Sequence, residues 1–137
     1  MAKKSYELGK NFELQLCEYF AKNNYYVIYN EKGVTGSQPV DMVVIKNNIA
    51  TMIECKNLEN SNSFPINRLE MNQLLSYKRF CECNNTNFII AIKNKNNVYF
   101  IDFGLLQFYK KSIPLNKIEP NIKNWNEVID NIQKEQK

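Results

Sequence analysis

Two hydrophobic periods alternate along the chain. Between Ser5 and Asn24, Leu8, Phe12, Leu16, Tyr19 and Phe20 recur at steps of three and four, which predicts a helix. Ser5 is its expected N-cap and Asn23-Asn24 its stop. "YYVIYN" follows as an aromatic and β-branched strand, and "EKGVTGSQ" as a glycine-containing loop. Two strands flank Asn47-Asn48. A second helix runs from an N-cap at Asn67 to about Cys83 through Leu69, Leu74, Leu75, Tyr77 and Phe80, with Asn67 and Glu70 at capping-box spacing. "FIIAI" and "VYFIDF" are strands around the turn "KNKNN", and "GLLQFYKK" is a short helix. Pro114 and Pro120 mark an irregular stretch before a terminal helix, "WNEVIDNIQK".

The predicted order is helix, three strands, helix, two strands, helix. It implies an α/β domain with a mixed β-sheet flanked by helices. The 137 residues match one domain, 1–137, with no internal repeat and no linker rich in Pro, Gly or Ser. Strands covered on both faces should be almost wholly apolar. "FIIAI" and "MVVI" are; Asp41, Glu54 and Lys56 break the rule.

A two-residue turn at Asn47-Asn48 fixes the register around these exceptions, because asparagine tolerates the left-handed backbone such turns demand. Lys46 then pairs with Ile49, Ile45 with Ala50, Val43 with Met52, and Asp41 with Glu54. The two carboxylates become cross-strand neighbours with Cβ atoms roughly 5 Å apart. Lys56 shares the face of Glu54, and Cys55 points to the other. Facing carboxylates repel unless one is protonated or a cation lies between them. Hard oxygen donors favour Mg²⁺, or Mn²⁺ in its place, over zinc. Lys56 can offset part of the charge, orient a water or stabilise a phosphate. A solvated hairpin end carrying the same charges is the competing reading.

Composition narrows the chemistry. There is no histidine, which excludes Ser-His-Asp and Cys-His triads, His-ligated zinc and histidine general bases. The net charge of +4 mildly favours a polyanionic partner. Cys17, Cys55, Cys81 and Cys83 lack zinc-site spacing and read as reduced thiols. No apolar run spans a bilayer and no secretory pattern is present, so a cytoplasmic protein without membrane contact is expected.

"PVD", twelve residues and "ECK" together resemble the motif of the PD-(D/E)XK nuclease superfamily, whose core is restriction-endonuclease-like. "SFPINRLEMNQ", "NNVYFIDFGLL" and "GKNFELQLCEYF" are similar to segments of RecU-type Holliday junction resolvases, so the resemblance covers roughly residues 9–111. It implies a Mg²⁺-dependent endonuclease that resolves four-way DNA junctions by paired nicks. Asp41, Glu54 and the Cys55 backbone carbonyl would hold the metal, and Glu13 would complete the acidic cluster. Lys56 would position the attacking water. Gln73 and Tyr77, one turn apart, resemble a Gln-x-x-x-Tyr pattern of related nucleases: Gln73 is assigned to the catalytic set and Tyr77 to packing. RecU-type enzymes carry a stalk before the catalytic Asp; only Glu31 to Gln38 stands there in this chain, which puts junction selectivity in question.

Lys10, Lys32, Arg68, Lys78 and Arg79 are the expected DNA contacts, sequence-tolerant and salt-sensitive. A four-way junction has two-fold symmetry, so a homodimer supplies matched sites; the aromatic strand or the second helix could form its surface. Two other readings stay open: a restriction-like or repair endonuclease with another DNA substrate, and a non-catalytic DNA-binding module on the same fold.

Overall fold

The computed structural model describes residues 2–30, 40–59, 61–117 and 121–133, with side chains from Gly9 onward. Its elements in chain order are α1 (Ala2–Lys22), β1 (Tyr26–Tyr29), β2 (Met42–Lys46), β3 (Ile49–Asn57), β4 (Ser63–Pro65), α2 (Met71–Glu82), β5 (Phe88–Asn94), β6 (Asn97–Asp102), β7 (Ser112–Pro114), β8 (Ile122–Asn124) and α3 (Trp125–Gln133). Short 3-10 helices occupy Ile66–Arg68, Phe103–Phe108 and Leu115–Lys117. Six strands form one sheet in the order β1-β2-β3-β5-β6-β8, while β4 and β7 pair separately. β3 and β5 run parallel and the other neighbours antiparallel, so the sheet is mixed. This is the α/β architecture with a helix-flanked mixed sheet that the pattern predicts.

The two faces of the sheet carry separate cores. On one, Phe12, Leu16 and Phe20 of α1 meet Met42, Val44, Ile53 and Cys55. Their spacing of four keeps them on one helix face. Trp125 of α3 sets its ring edge-on to Phe12 at 5.3 Å. On the other face, Phe88, Ile90 and Ile92 of β5 pack with Phe64, Phe103 and Ile113, and Tyr77 of α2 joins them. The Tyr77 ring stacks on Phe103 at 4.6 Å, as its assignment to packing requires. Each fully buried side chain of this size contributes about 1.5–3 kcal/mol of hydrophobic stabilisation, so the faces of β3 and β5 are strongly specified.

Several boundaries differ from the sequence reading. α1 begins at Ala2, ahead of the expected cap at Ser5. Its C-terminus falls where expected: Asn24 takes φ 68° and the Tyr25 N–H returns to the Phe20 carbonyl at 3.0 Å. The capping box of α2 sits three residues later than predicted. Glu70, not Asn67, is the N-cap, with Gln73 as its reciprocal partner. The cause is local: Ile66–Arg68 wind into a 3-10 turn, and the extended backbone of Leu69 turns that side chain into the core before the helix starts. The short helix expected in "GLLQFYKK" is present as a 3-10 helix, shifted to Phe103–Phe108. β4, β7 and β8 were missed. Each is three residues long, too short to show a period of two, and each is fixed by a distant partner.

The hairpin forms as predicted. Asn47 and Asn48 take φ 53° and 65°, and Lys46↔Ile49, Ile45↔Ala50 and Val43↔Met52 are the observed pairs. A β-branched residue in that conformation is strained by about 1–2 kcal/mol. Asn48→Val is therefore expected to lower unfolding stability by that amount, and Asn48→Gly to leave it unchanged or slightly raised, as read from urea midpoints at constant m-value.

Candidate active site

The register that begins at the asparagine turn ends at Met42↔Ile53. One step further, Asp41 lies in a bend opposite Glu54. Both side chains are buried, at 0% and 2% exposure. Asp41 meets β3 through its side chain, while its backbone carries the β1–β2 register one step further, to Asn30. Its Oδ2 accepts the Cys55 N–H at 2.7 Å, while the Asp41 carbonyl accepts the N–H of Asn30 at 2.9 Å. The Val40 carbonyl, the ordinary partner for Cys55 at this step, accepts Asn30 Nδ2 at 3.0 Å instead. A carboxylate thus stands where a strand would have been. In an antiparallel ladder a residue's N–H and C=O face the same neighbour, so the Cys55 carbonyl is directed toward Asp41 as well.

Glu54 and Lys56 share the face predicted for them. Lys56 Nζ lies 3.2 Å from Glu54 Oε2, with both side chains largely shielded from water. Lys56 thus offsets part of the charge, as the sequence reading allows. The Cys55 N–H serves one carboxylate and the Lys56 ammonium the other, which offsets part of the desolvation cost of each.

Glu13 enters from α1 and is 8% exposed. It lies one residue from Phe12, on the flank of the helix stripe that packs on the sheet. Tyr29, the last residue of β1, donates its hydroxyl to Glu13 Oε2 at 2.8 Å. Thiols nearby register the crowding of negative charge. Burial pushes the Cys55 thiol well above its ordinary range, and Asp41, Glu13 and Glu54 push it further. Cys17 is raised to about 12, first by burial and then by Glu13 and Asp41. The Tyr29 phenol is raised by burial and then by its bond to Glu13, so it remains a proton donor across the physiological range. Glu13, Asp41 and Glu54 thus converge electrostatically on Cys55.

Among the described residues no three His, Cys, Asp or Glu side chains already form a metal-holding group. The donor chemistry nevertheless suits a hard divalent ion. Mg²⁺ keeps several waters and takes only one or two carboxylates from the protein, and Asp41 and Glu54 with the Cys55 carbonyl are the donors that would supply them.

The other predicted residues are more dispersed. Gln73 is buried, and its Oε1 accepts the Glu70 N–H at 2.9 Å, which engages that oxygen in capping α2. Arg68 is exposed and donates to the Asn57 carbonyl at 3.0 Å, beside Lys56. Lys10 is half-buried one turn before Glu13, and Lys78 and Arg79 are exposed on α2. Lys32 and the loop Glu31–Gln38 lie outside the described residues. Tyr29, Asn30 and Asn94 were not singled out from the sequence. Asn94, buried on β5, donates to the Leu58 and Ser61 carbonyls at 2.7 and 2.8 Å and so fixes the chain leaving Lys56. A cavity of about 450 Å³ bounded by Tyr25, Lys46, Phe100 and Lys123 opens toward the other end of β2. Asp41 is five residues from Lys46 along the chain, roughly 16 Å at strand rise, so this cavity is separate from the acids. No described helix is long and apolar enough to cross a membrane.

Comparison with known proteins bears on the fold and the family. The chain superposes on the 1.6 Å structure of Archaeoglobus fulgidus Hjc, a Holliday junction resolvase from an archaeal hyperthermophile. The TM-score is 0.60 at 16% identity, and the match covers 89% of this chain and 98% of that one. That likeness is one of fold. No curated protein matches the chain. The family model for archaeal Holliday junction resolvase (Hjc) matches residues 4–135. The RecU-type resemblance thus identified a Holliday junction resolvase but not the matching branch: the chain belongs to the Hjc family of resolvases.

Proposed function

We propose that this protein is a Mg²⁺-dependent endonuclease that resolves four-way DNA junctions by paired nicks in recombination and repair. The observation that carries the reading is the strand-end constellation: two buried acids, Asp41 bound to the Cys55 N–H and Glu54 the residue before it, with Lys56 held 3.2 Å from Glu54. Asp41, Glu54 and the Cys55 carbonyl hold the ion, with Glu13 joining directly or through water. When bound, the ion supplies charge stabilisation at the scissile phosphate and lowers the pKa of a water. Lys56 orients the attacking water or a phosphate oxygen; its ion pair with Glu54 holds the ammonium at the site before substrate arrives. The Cys55 N–H keeps Asp41 oriented, which reduces the reorganisation needed on binding. Gln73, whose Oε1 caps α2, would serve the site through its Nε2. Lys10, Lys32, Arg68, Lys78 and Arg79 take phosphates without reading bases.

Two cuts related by two-fold symmetry call for two copies of the site. Met71, Leu74 and Leu75 on α2 and Phe108 nearby in sequence to its packing partner Phe103 are exposed, from 40% to 73%. We assign the dimer contact to this apolar face of α2. Charged residues are depleted from the centres of such contacts, so Leu75→Glu is expected to halve the mass measured by light scattering. A dimer that survives this change would place the contact elsewhere, with the exposed Tyr26 and Ile28 of edge strand β1 next in line.

The catalytic test uses a labelled immobile junction with Mg²⁺. Wild type is expected to nick opposing strands, and EDTA to abolish the reaction. Asp41→Asn keeps an acceptor for the Cys55 N–H but loses the charge. It should cut on the order of 10³-fold more slowly, the equivalent of several kcal/mol of charge stabilisation, while binding the junction normally. Preferential cutting of linear duplex or flaps would select a repair or restriction-like role. Tight junction binding with no cleavage in any divalent ion would select a non-catalytic one.

A further inference from the structure

The C-terminal end of β1 does more than complete the sheet. Its last residue, Tyr29, reaches across to the helix-borne acid, with the hydroxyl donating to Glu13 Oε2 at 2.8 Å. The next residue, Asn30, binds the strand-borne acid's own segment twice. Its N–H goes to the Asp41 carbonyl at 2.9 Å and its Nδ2 to the Val40 carbonyl at 3.0 Å. Two consecutive residues thus contact both elements that carry the acidic cluster. Glu13 is on α1 and Asp41 on the chain entering β2, and 27 residues separate them in sequence. The register of β1 against β2 sets Tyr29 beside Met42, the neighbour of Asp41, so the phenol and the carboxylates approach from one end of the sheet.

We infer that Tyr29 and Asn30 form a positioning clamp that sets the Glu13 carboxylate relative to Asp41 for metal binding. This rests on the nuclease reading above. Tyr29 is a positioning residue: its hydroxyl holds Oε2 of Glu13. A hydrogen-bond donor on a carboxylate fixes its rotamer, and such outer partners typically change metal affinity by about 10- to 100-fold when removed. A glutamate on a helix has three rotatable bonds, so without the phenol it can swing away from the strand end. Asn30 acts on the other side. By drawing the Val40 and Asp41 carbonyls toward β1, it leaves the Cys55 N–H to the Asp41 carboxylate.

The test is a double-mutant cycle on metal affinity, read by Mn²⁺ calorimetry on the full chain without DNA. Tyr29→Phe keeps the ring and removes only the hydroxyl. It should weaken Mn²⁺ binding by about 10-fold, lower kcat on the junction and leave KM for DNA unchanged. In a Glu13→Ala background the same change should have no further effect on Mn²⁺, because the acceptor is gone. The metal-free unfolding midpoint separates loss of the clamp from loss of packing, and Asn30→Ala provides a second variant that does not touch the phenol. Wild-type Mn²⁺ affinity in both Tyr29→Phe and Asn30→Ala would overturn the clamp, as would an equal Tyr29→Phe effect with and without Glu13. A wild type that neither binds Mn²⁺ nor cuts DNA would sink the nuclease reading itself, a result distinct from either.

Discussion

The site depends on one hydrogen bond, from the Cys55 N–H to Asp41 Oδ2 at 2.7 Å. It occurs where β2 stops being a strand, and it turns the end of an ordinary ladder into a place where a carboxylate substitutes for a backbone carbonyl. An acid buried to 0% exposure needs such a donor. The donor is available only because the Val40 carbonyl is engaged by Asn30 instead. The backbone rearrangement and the chemistry are therefore a single structural event. A charge-assisted bond of this length is roughly twice as strong as a neutral one, which helps hold the acid at the strand end.

From that bond outward, the sheet explains the rest of the constellation. β3 is a central strand, antiparallel to β2 on one side and parallel to β5 on the other. Its residues alternate between two cores, so Ile53 and Cys55 belong under α1 while Glu54 and Lys56 face the α2 side. Burial on both faces makes a slip of one residue very costly, since it would exchange every partner of the strand. The register that places Glu54 beside Asp41 is thus enforced by a core that has no part in catalysis. α1 is pinned by the same core through Phe12, Leu16 and Phe20, and Glu13 is carried to the strand end by its position next to Phe12.

What could be read from the sequence divides along the same line. The hairpin was legible because both determinants are local: two asparagines suited to positive φ and an apolar strand on each side. Once the turn type was assumed, the pairing of Asp41 and Glu54 followed by counting. The face shared by Glu54 and Lys56 followed from the period of two. The mixed sheet was legible from the order of long, strongly patterned elements. β4, β7 and β8 were not, because a three-residue strand has no period to detect and takes its conformation from its partner. The start of α2 was misplaced because Asn67-Glu70 and Glu70-Gln73 offer overlapping boxes. The choice between them was made by burial of Leu69, a tertiary effect.

Tyr29 and Asn30 show a different limit. Both lie in "YYVIYN", which reads as an apolar strand, and nothing local marks one of its four tyrosine and asparagine tips as functional. Their partners become visible only once β1 is set against β2, and with twelve residues between Tyr29 and Met42 the offset cannot be counted from the sequence. A hairpin with two residues at its tip allows its register to be counted, whereas a strand joined by a longer connection takes its register from packing. Here that packing is supplied by Val27 and Tyr29 against the α1 core. The acids themselves were recognisable because charge in an apolar strand is conspicuous. The residues that orient them were not, because a tyrosine at a strand end is ordinary until its hydroxyl is seen 2.8 Å from a buried glutamate.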